Sequence, residues 1–331
     1  LLVDLERSDE AFAELKKLCE EFPYDQNCKL IMANQYLLYG DTLQAKALYD
    51  EVARIEPSNI NLQLSLVAYY KAQPDKSRYY LMRDSLLSSP SSSSQLCGAL
   101  MADYIMEAQA DSTLHQGVLK AFGRILATPQ KNADILELKA AYLIKSKAPD
   151  KEIEQALKDI LQVEPDDRMA MAQLMQYYVS ESDFRAVENL CRQGVNYYPD
   201  KPTYHFYLGL SLYQQSRQAE AIEAFSQGVR IKGDNVNPDE VSEMFSILGD
   251  LYYEQGRAQE AFAAYDSSLV YKEDNLSCLN NYAYYLSLRN ERLEQAEEMS
   301  YRTVKNEPSN CTYLDTYAWI LFQKKDYNEA R

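Results

Sequence analysis

The side chains best suited to chemistry are few in this 331-residue chain, and they stand apart. The two histidines, His115 and His205, are ninety positions from each other. A hydrolytic triad needs a nucleophile, a base and an orienting group within reach of one another. His115 sits in DSTLHQGV, which reads as the entry from a turn into a helix. His205 sits among apolar residues on a helix, where an imidazole more often packs than reacts. The six cysteines are Cys19, Cys28, Cys97, Cys191, Cys278 and Cys311. They form no CxxC pair and no Cys/His cluster with zinc-ligand spacing. Cys19 and Cys28 flank the turn at Pro23, where a bridge is conceivable, but free buried thiols are the commoner state in a helical protein. There is no GxSxG, no HExxH and no glycine-rich phosphate loop. Asp166 and Asp167 follow Pro165 and read as a helix start, where carboxylates suit the dipole. The sequence points away from an enzyme and calls for no cofactor and no metal.

What the chain has in abundance is tyrosine: 28 of them, with a single tryptophan, Trp319. Lys and Arg number 34 against 50 Asp and Glu, a net charge of -16. A nucleic-acid partner needs a basic stripe, and an anionic membrane surface needs a basic patch. Neither fits this balance. No apolar run approaches the roughly 18 residues of a membrane span. With 46% hydrophobic residues the chain is not a disordered one, and with ten glycines it is not a turn-rich β fold.

The elements that position these residues repeat. Prolines at 23, 57, 90, 129, 165 and 199 each close an apolar-periodic stretch, at intervals of 34, 33, 39, 36 and 34 residues. The next such proline is Pro308, and Gly233 and Glu273 mark the unit ends between. Twelve residues before these ends stand Ala11, Ala45, Val187, Ala221, Ala261 and Ala296. About twelve before those, or before Ala330, stand Ala33, Met175, Gly209, Gly249, Ala283 and Ala318. Small residues at matched points of two successive helices let the helices approach closely where they cross. Tyr204, Leu208 and Leu212 lie one turn apart, as do Ala221, Phe225 and Val229. Gly40 and Gly256 share one position in the turn between paired helices, and Pro74 and Pro149 fall at or beside it. All eleven prolines lie at expected turns. The Ser run at 88–94 reads as a loop followed by a helix cap.

The stretches YLGLSLYQQSRQAEAIEAFSQGV and ILGDLYYEQGRAQEAFAAYDSSL resemble the tetratricopeptide repeat in its Leu-Gly, Tyr, Gly, Ala and Phe/Tyr positions. YLDTYAWILFQKKDYNEA is similar to the first helix and turn of a further repeat. The resemblance is clearest at 26–57 and 168–331. Residues 58–166 depart from it, with no Leu-Gly pair, the Ser run and longer spacings, and are expected to be degenerate helix pairs. The resemblance implies an all-α fold: an α-α superhelix, a right-handed solenoid of about nine helix pairs in one array over 1–331. That array is expected to be truncated at both ends. Residues 1–22 read as the second helix of a pair, and Arg331 falls just inside another. The last segments also resemble tetratricopeptide proteins of Bacteroidetes. That implies a periplasmic or lipid-anchored protein with its signal removed, the cytoplasm being the alternative.

The family binds protein segments in a groove lined by first helices, at the second, fifth, ninth, twelfth and thirteenth positions of each repeat. Carried over residue by residue, these are Met169, Ala172, Gln176, Val179 and Ser180; Thr203, Phe206, Leu210, Tyr213 and Gln214; and Glu243, Ser246, Asp250, Tyr253 and Glu254. They continue as Ser277, Asn280, Tyr284 and Ser287, then Thr312, Asp315, Trp319, Phe322 and Gln323. The candidate partner-binding residues are Tyr213, Asp250, Tyr253, Tyr284 and Trp319, since rings with polar tips give large rigid contact area. The competing role for each ring is packing between helices. Asp250, Glu254 and Asp315 suit a basic partner segment. Asn34 matches the asparagine of the family's carboxylate clamp, but Leu30 stands where that clamp has Lys. Asn280 and Asn281 have no Lys or Arg beside them at groove positions. The function expected is a non-catalytic scaffold for a protein or peptide ligand. The alternatives are a self-associating spacer or an accessory to an enzyme or transport system outside the chain. The oligomeric state is left open.

Overall fold

The computed structural model describes residues 8–233 and 236–330, and among these residues all regular structure is helical. Of the helix expected over 1–22, residues 1–7 lie outside the described residues. So do the side chain of Ala11 and Arg331. The chain divides between Pro165 and Asp166 into two compact units. The first contains α1 (Ser8–Glu21), α2 (Gln26–Leu38), α3 (Thr42–Ile55), α4 (Ile60–Ala72), α5 (Ser77–Ser88), α6 (Ser94–Ala110), α7 (His115–Ile125), α8 (Asp134–Lys145) and α9 (Asp150–Val163). The second contains α10 (Arg168–Ser180), α11 (Phe184–Tyr197), α12 (Pro202–Gln214), α13 (Gln218–Gly228), α14 (Pro238–Glu254), α15 (Ala258–Tyr271), α16 (Leu276–Leu288), α17 (Leu293–Asn306) and α18 (Cys311–Gln323). After α18, residues 327–330 form a single turn in which the Ala330 N–H donates to the Asp326 carbonyl at 3.2 Å.

The helix starts are chemically marked. Asp25, Asp41, Asn59, Asp167, Asp183 and Asn275 each accept a backbone N–H of their own first turn. Asp167 holds the Ala170 N–H at 2.6 Å, so the acid pair after Pro165 is a cap. Within the Ser run, Ser93 caps α6 by accepting from the Leu96 N–H at 3.2 Å. Pro202 and Pro238 begin α12 and α14, where a missing N–H costs nothing.

Seven helix ends, six of them between paired helices and one after α18, close in one way. A residue in the left-handed region stands second after the helix, and the next N–H donates to the carbonyl five residues back. Examples are Asp41 to Tyr36, Asp183 to Tyr178, Arg217 to Leu212 and Arg257 to Tyr252, each at 2.9 Å. The left-handed residue is glycine at Gly40 and Gly256, but Lys147, Ser182, Ser216, Asn290 and Lys325 occupy it elsewhere.

The small residues meet large partners on the paired helix. A β-carbon on Gly209 would lie 2.5 Å from the Phe225 ring, and one on Gly249 would lie 2.5 Å from the Tyr265 ring. Ala33, Ala45, Ala221, Ala261, Ala283 and Ala296 are fully buried. The core of the second unit stacks Tyr265 on Tyr282 at 5.1 Å. In the first unit, Tyr79, Met101, Phe122 and Ile135 pack together, with Arg83 buried beside them.

The histidines and four of the six cysteines take packing positions, while Cys19 is half-buried and Cys311 exposed. His115 opens α7 and stacks on Tyr142, its Nδ1 lying 2.7 Å from the Tyr142 hydroxyl. His205 is buried, and burial lowers its pKa. Cys28, Cys97, Cys191 and Cys278 are buried free thiols.

Candidate functional site

The candidate residues of the second unit are carried mainly by α12, α14, α16 and α18, and each of these helices packs on the next in that order. The geometry centres on Asp250. It follows Gly249, and the absence of a side chain there lets the Tyr265 ring come in under α14. The Tyr265 hydroxyl then donates to the Asp250 carboxylate. From α16, Asn281 donates its amide to both Asp250 oxygens, at 3.2 and 3.1 Å. Asn280 in turn donates to the Asn281 side-chain oxygen at 3.1 Å, which fixes the orientation of that amide.

Burial pushes the Asp250 carboxyl up to about 6. The hydrogen bonds from Tyr265 and Asn281 pull it down, and the charges of Glu254 and Glu243 push it up again. Tyr285 is pushed up to about 12, first by burial and then by Asp250 and Glu254. Tyr213, on α12, is raised by burial and by the charges of the same two acids. Among the described residues none of Glu243, Asp250 and Glu254 makes an ion pair. The nearest polar partners outside the network are amides: Gln218 donates to Glu254 at 2.9 Å, and Asn275 donates to Glu243 at 3.4 Å.

Four of the five candidate residues fall in this cluster, in different roles. Tyr213 and Tyr284 are 36% and 39% exposed and present ring surface. Tyr253 is half-buried and stacks on Tyr285 at a centroid distance of 3.9 Å, so part of its face is spent on packing. Tyr284 leans on the same Tyr285 at 5.6 Å. Trp319 is 37% exposed but belongs to a separate aromatic group on α18 with Phe322 and Tyr327. Asp315 is exposed on the same helix. The residues that complete the cluster, Tyr265 and Tyr285, stand outside the groove register. The Asn280–Asn281 pair was the sequence feature that pointed toward it.

Asn280 contributes an unusual group: its side-chain oxygen is buried with no hydrogen-bond partner among the described residues. The Asn34 position in the first unit repeats part of the arrangement. Tyr49 donates its hydroxyl to Asn34 at 2.6 Å, and Leu30 is buried where a clamp would need a cation. Among the described residues no helix is long and apolar enough to cross a membrane.

Residues 176–236, from within α10 to the connection before α14, match the family described as Tetratricopeptide repeat. A comparison with curated proteins finds no match. Among solved structures, PilW, a type IV pilus biogenesis factor, is 16% identical, over 60% of this chain and 88% of its own, with a TM-score of 0.46. YrrB, a TPR protein with an unusual peptide-binding site, is 13% identical over 54% of this chain and 88% of its own, with a TM-score of 0.43. MamA from Desulfovibrio magneticus RS-1 is 12% identical over 50% of this chain and 89% of its own, with a TM-score of 0.42. The chain is an all-α protein of successive helices, and its residues 176–236 match the tetratricopeptide repeat.

Proposed function

We propose that the protein is a non-catalytic interaction scaffold, and that the second unit holds a segment of a partner protein against α12, α14 and α16. The segment presents a cationic side chain to Asp250. The observation that carries this reading is the set of three acids, Glu243, Asp250 and Glu254, that make no ion pair among the described residues, with Asp250 held by Tyr265 and Asn281 and with Tyr253 and Tyr284 packed on the neighbouring Tyr285. An ammonium or guanidinium there gains the carboxylate charge and the faces of electron-rich rings together. Exposed rings at Tyr213 and Tyr284 supply contact area on either side. Trp319 and Asp315 form a separate exposed pair of groove-register residues on α18.

The test is a peptide array read with the wild-type chain, with Asp250→Asn and with Tyr284→Ala. Each variant's thermal unfolding is followed to confirm the fold. The reading expects selected peptides to share a Lys or Arg and to lose binding in both variants. Selection of acidic or purely apolar peptides, or binding that survives Asp250→Asn, overturns it. A chain that selects nothing and self-associates in sedimentation is a spacer instead.

A further inference from the structure

A second recessed region lies in the same unit, at the groove positions Ala172, Gln176, Val179, Ser180 and Thr203 of α10 and α12, and Asp250 is not among its lining residues. A cavity of about 690 Å³ opens between α10 and α12. That lies within the range of about 300–1,000 Å³ common for small-molecule sites. Its walls are apolar: Met171, Met175 and Val179 come from α10, and Tyr204 and Tyr207 from α12. No acid lines it. Its only charged groups are cationic, in a chain whose net charge is -16. Arg168 begins α10 and Lys201 caps α12, so both stand at the starts of their helices. The Arg168 guanidinium is held over the Tyr198 ring at 4.9 Å, and Tyr198 stacks on Tyr204 at 5.9 Å. Among the described residues neither Arg168 nor Lys201 makes an ion pair. Two of the hydroxyls at the cavity are engaged within the chain: Ser180 donates to the Tyr177 carbonyl at 2.7 Å, and Thr203 donates to Glu240 at 2.8 Å. An apolar chain ending in an anion would find both its needs met there, in the apolar walls and in the two cations.

We propose that this cavity binds a small amphipathic carboxylate, with its aliphatic or aryl-alkyl body against Val179, Tyr204 and Tyr207 over Met175, and its carboxylate at Arg168 and Lys201. The binding is independent of the cation site at Asp250.

Calorimetric titration with decanoate, below its micelle concentration, tests the assignment. Decanol, decyltrimethylammonium and a peptide ending in Leu serve as the other probes. Ala172 lines the cavity from an exposed position, so Ala172→Trp fills the space without burdening the core. One decanoate per chain is expected, with binding abolished by Ala172→Trp. Removal of charge in Arg168→Gln with Lys201→Gln is expected to weaken it about tenfold or more, as for a charge-assisted hydrogen bond. Asp250→Asn is expected to leave it unchanged, so the two sites fail or stand separately. Absence of decanoate binding, equal binding of decanol or decyltrimethylammonium, or retention in Ala172→Trp overturns the proposal. Binding of the Leu-terminated peptide without decanoate also overturns it and hands the cavity to a protein segment.

Discussion

The hydroxyl of Tyr265 donates to the carboxylate of Asp250, fifteen positions earlier in the chain. Tyr49 does the same to Asn34 over the same separation. In both places the acceptor directly follows a small residue, Gly249 or Ala33, on the first helix of a pair. The close helix crossing that these small residues permit is what brings the phenol within reach. A packing device thus sets the chemistry of the polar residue beside it. At Asp250 the result is a carboxylate half-removed from water yet held by three donated hydrogen bonds.

This placement makes stability depend on pH in a definite direction. The folded-state carboxyl titrates at about 6, against about 3.9 in an unfolded chain. The folded state therefore holds the proton more tightly. Its contribution favours folding below about pH 4 and is lost as pH rises through 6, by an amount on the order of 3 kcal/mol. Asp250→Asn lacks the titration. The stability difference between variant and wild type, measured by urea unfolding at pH 4 and pH 7, is expected to move toward the variant at the higher pH. A difference that is flat over this range, or that moves the other way, contradicts the assignment. Tyr265→Phe removes a hydrogen bond to the charged form, so Asp250 should then titrate above 6.

Gly249 offers a sharper test of the crossing itself. A β-carbon there would stand 2.5, 2.7 and 2.7 Å from three atoms of the Tyr265 ring. That ring is fully buried and pinned against Tyr282, so it has nowhere to go. Gly249→Ala is expected to lower stability by about 1–3 kcal/mol through overpacking, despite alanine's better helix propensity. Gly123, on α7, is the control, because nothing lies within 4 Å of its missing β-carbon. Gly123→Ala should stabilise by up to about 1 kcal/mol. Thermal unfolding of both variants reads the contrast, and two effects of the same sign would argue against close packing at Gly249.

Turn closure predicts gains rather than losses. Ser216 has a φ of 61° in the position that Gly40 and Gly256 fill with φ of 84° and 76°. The surrounding bonds are the same: the Ser216 N–H donates to the Tyr213 carbonyl at 2.8 Å and the Arg217 N–H to Leu212 at 2.9 Å. A β-carbon in this region costs about 1–2 kcal/mol. The greater freedom of unfolded glycine returns part of that, so Ser216→Gly should stabilise by roughly 0.5–1 kcal/mol. Gly256→Ala should lose a similar amount. Urea midpoints for the pair decide it.

Much of this was legible in the sequence because it depends on local residue types. Prolines, capping Asp and Asn residues and small residues at fixed spacing mark where helices stop, start and cross, and α10–α18 follow them. Asp250, Tyr213, Tyr253 and Tyr284 were also in view, since the repeat register assigns them to one face. What the register does not carry is how neighbouring helices lie against each other. Tyr253 loses part of its surface to Tyr285, and Asn281 reaches Asp250, only through the packing of α14 on α16. Trp319 shares the register but not the cluster. The left-handed turns at Lys147, Ser182 and Asn290 were likewise hidden, because no glycine announces them.

Arg83 shows the same limit in the first unit, where its helix carries no repeat signature. The chain reads SRYYLMRDSLL around it, a segment in which an arginine suggests a solvated face. The side chain is instead 5% exposed. Its guanidinium lies 3.6 Å from the centroid of the Tyr104 ring, donates to Asp84 at 2.9 and 3.0 Å, and reaches Glu107 at 3.3 Å. Glu107 also takes Lys71 at 2.8 Å and the Tyr79 hydroxyl at 2.6 Å. Removing the arginine leaves Glu107 with less compensation and opens space against Tyr104, so Arg83→Ala should cost about 3 kcal/mol. Arg83→Lys keeps the charge but neither the planar stack nor the forked donors, and should recover less than half of that loss. Because the pair is screened from water, the loss should persist at 1 M salt, where an exposed ion pair would fade. A lysine variant as stable as wild type, or a loss that vanishes in salt, would show Arg83 to be an ordinary surface charge.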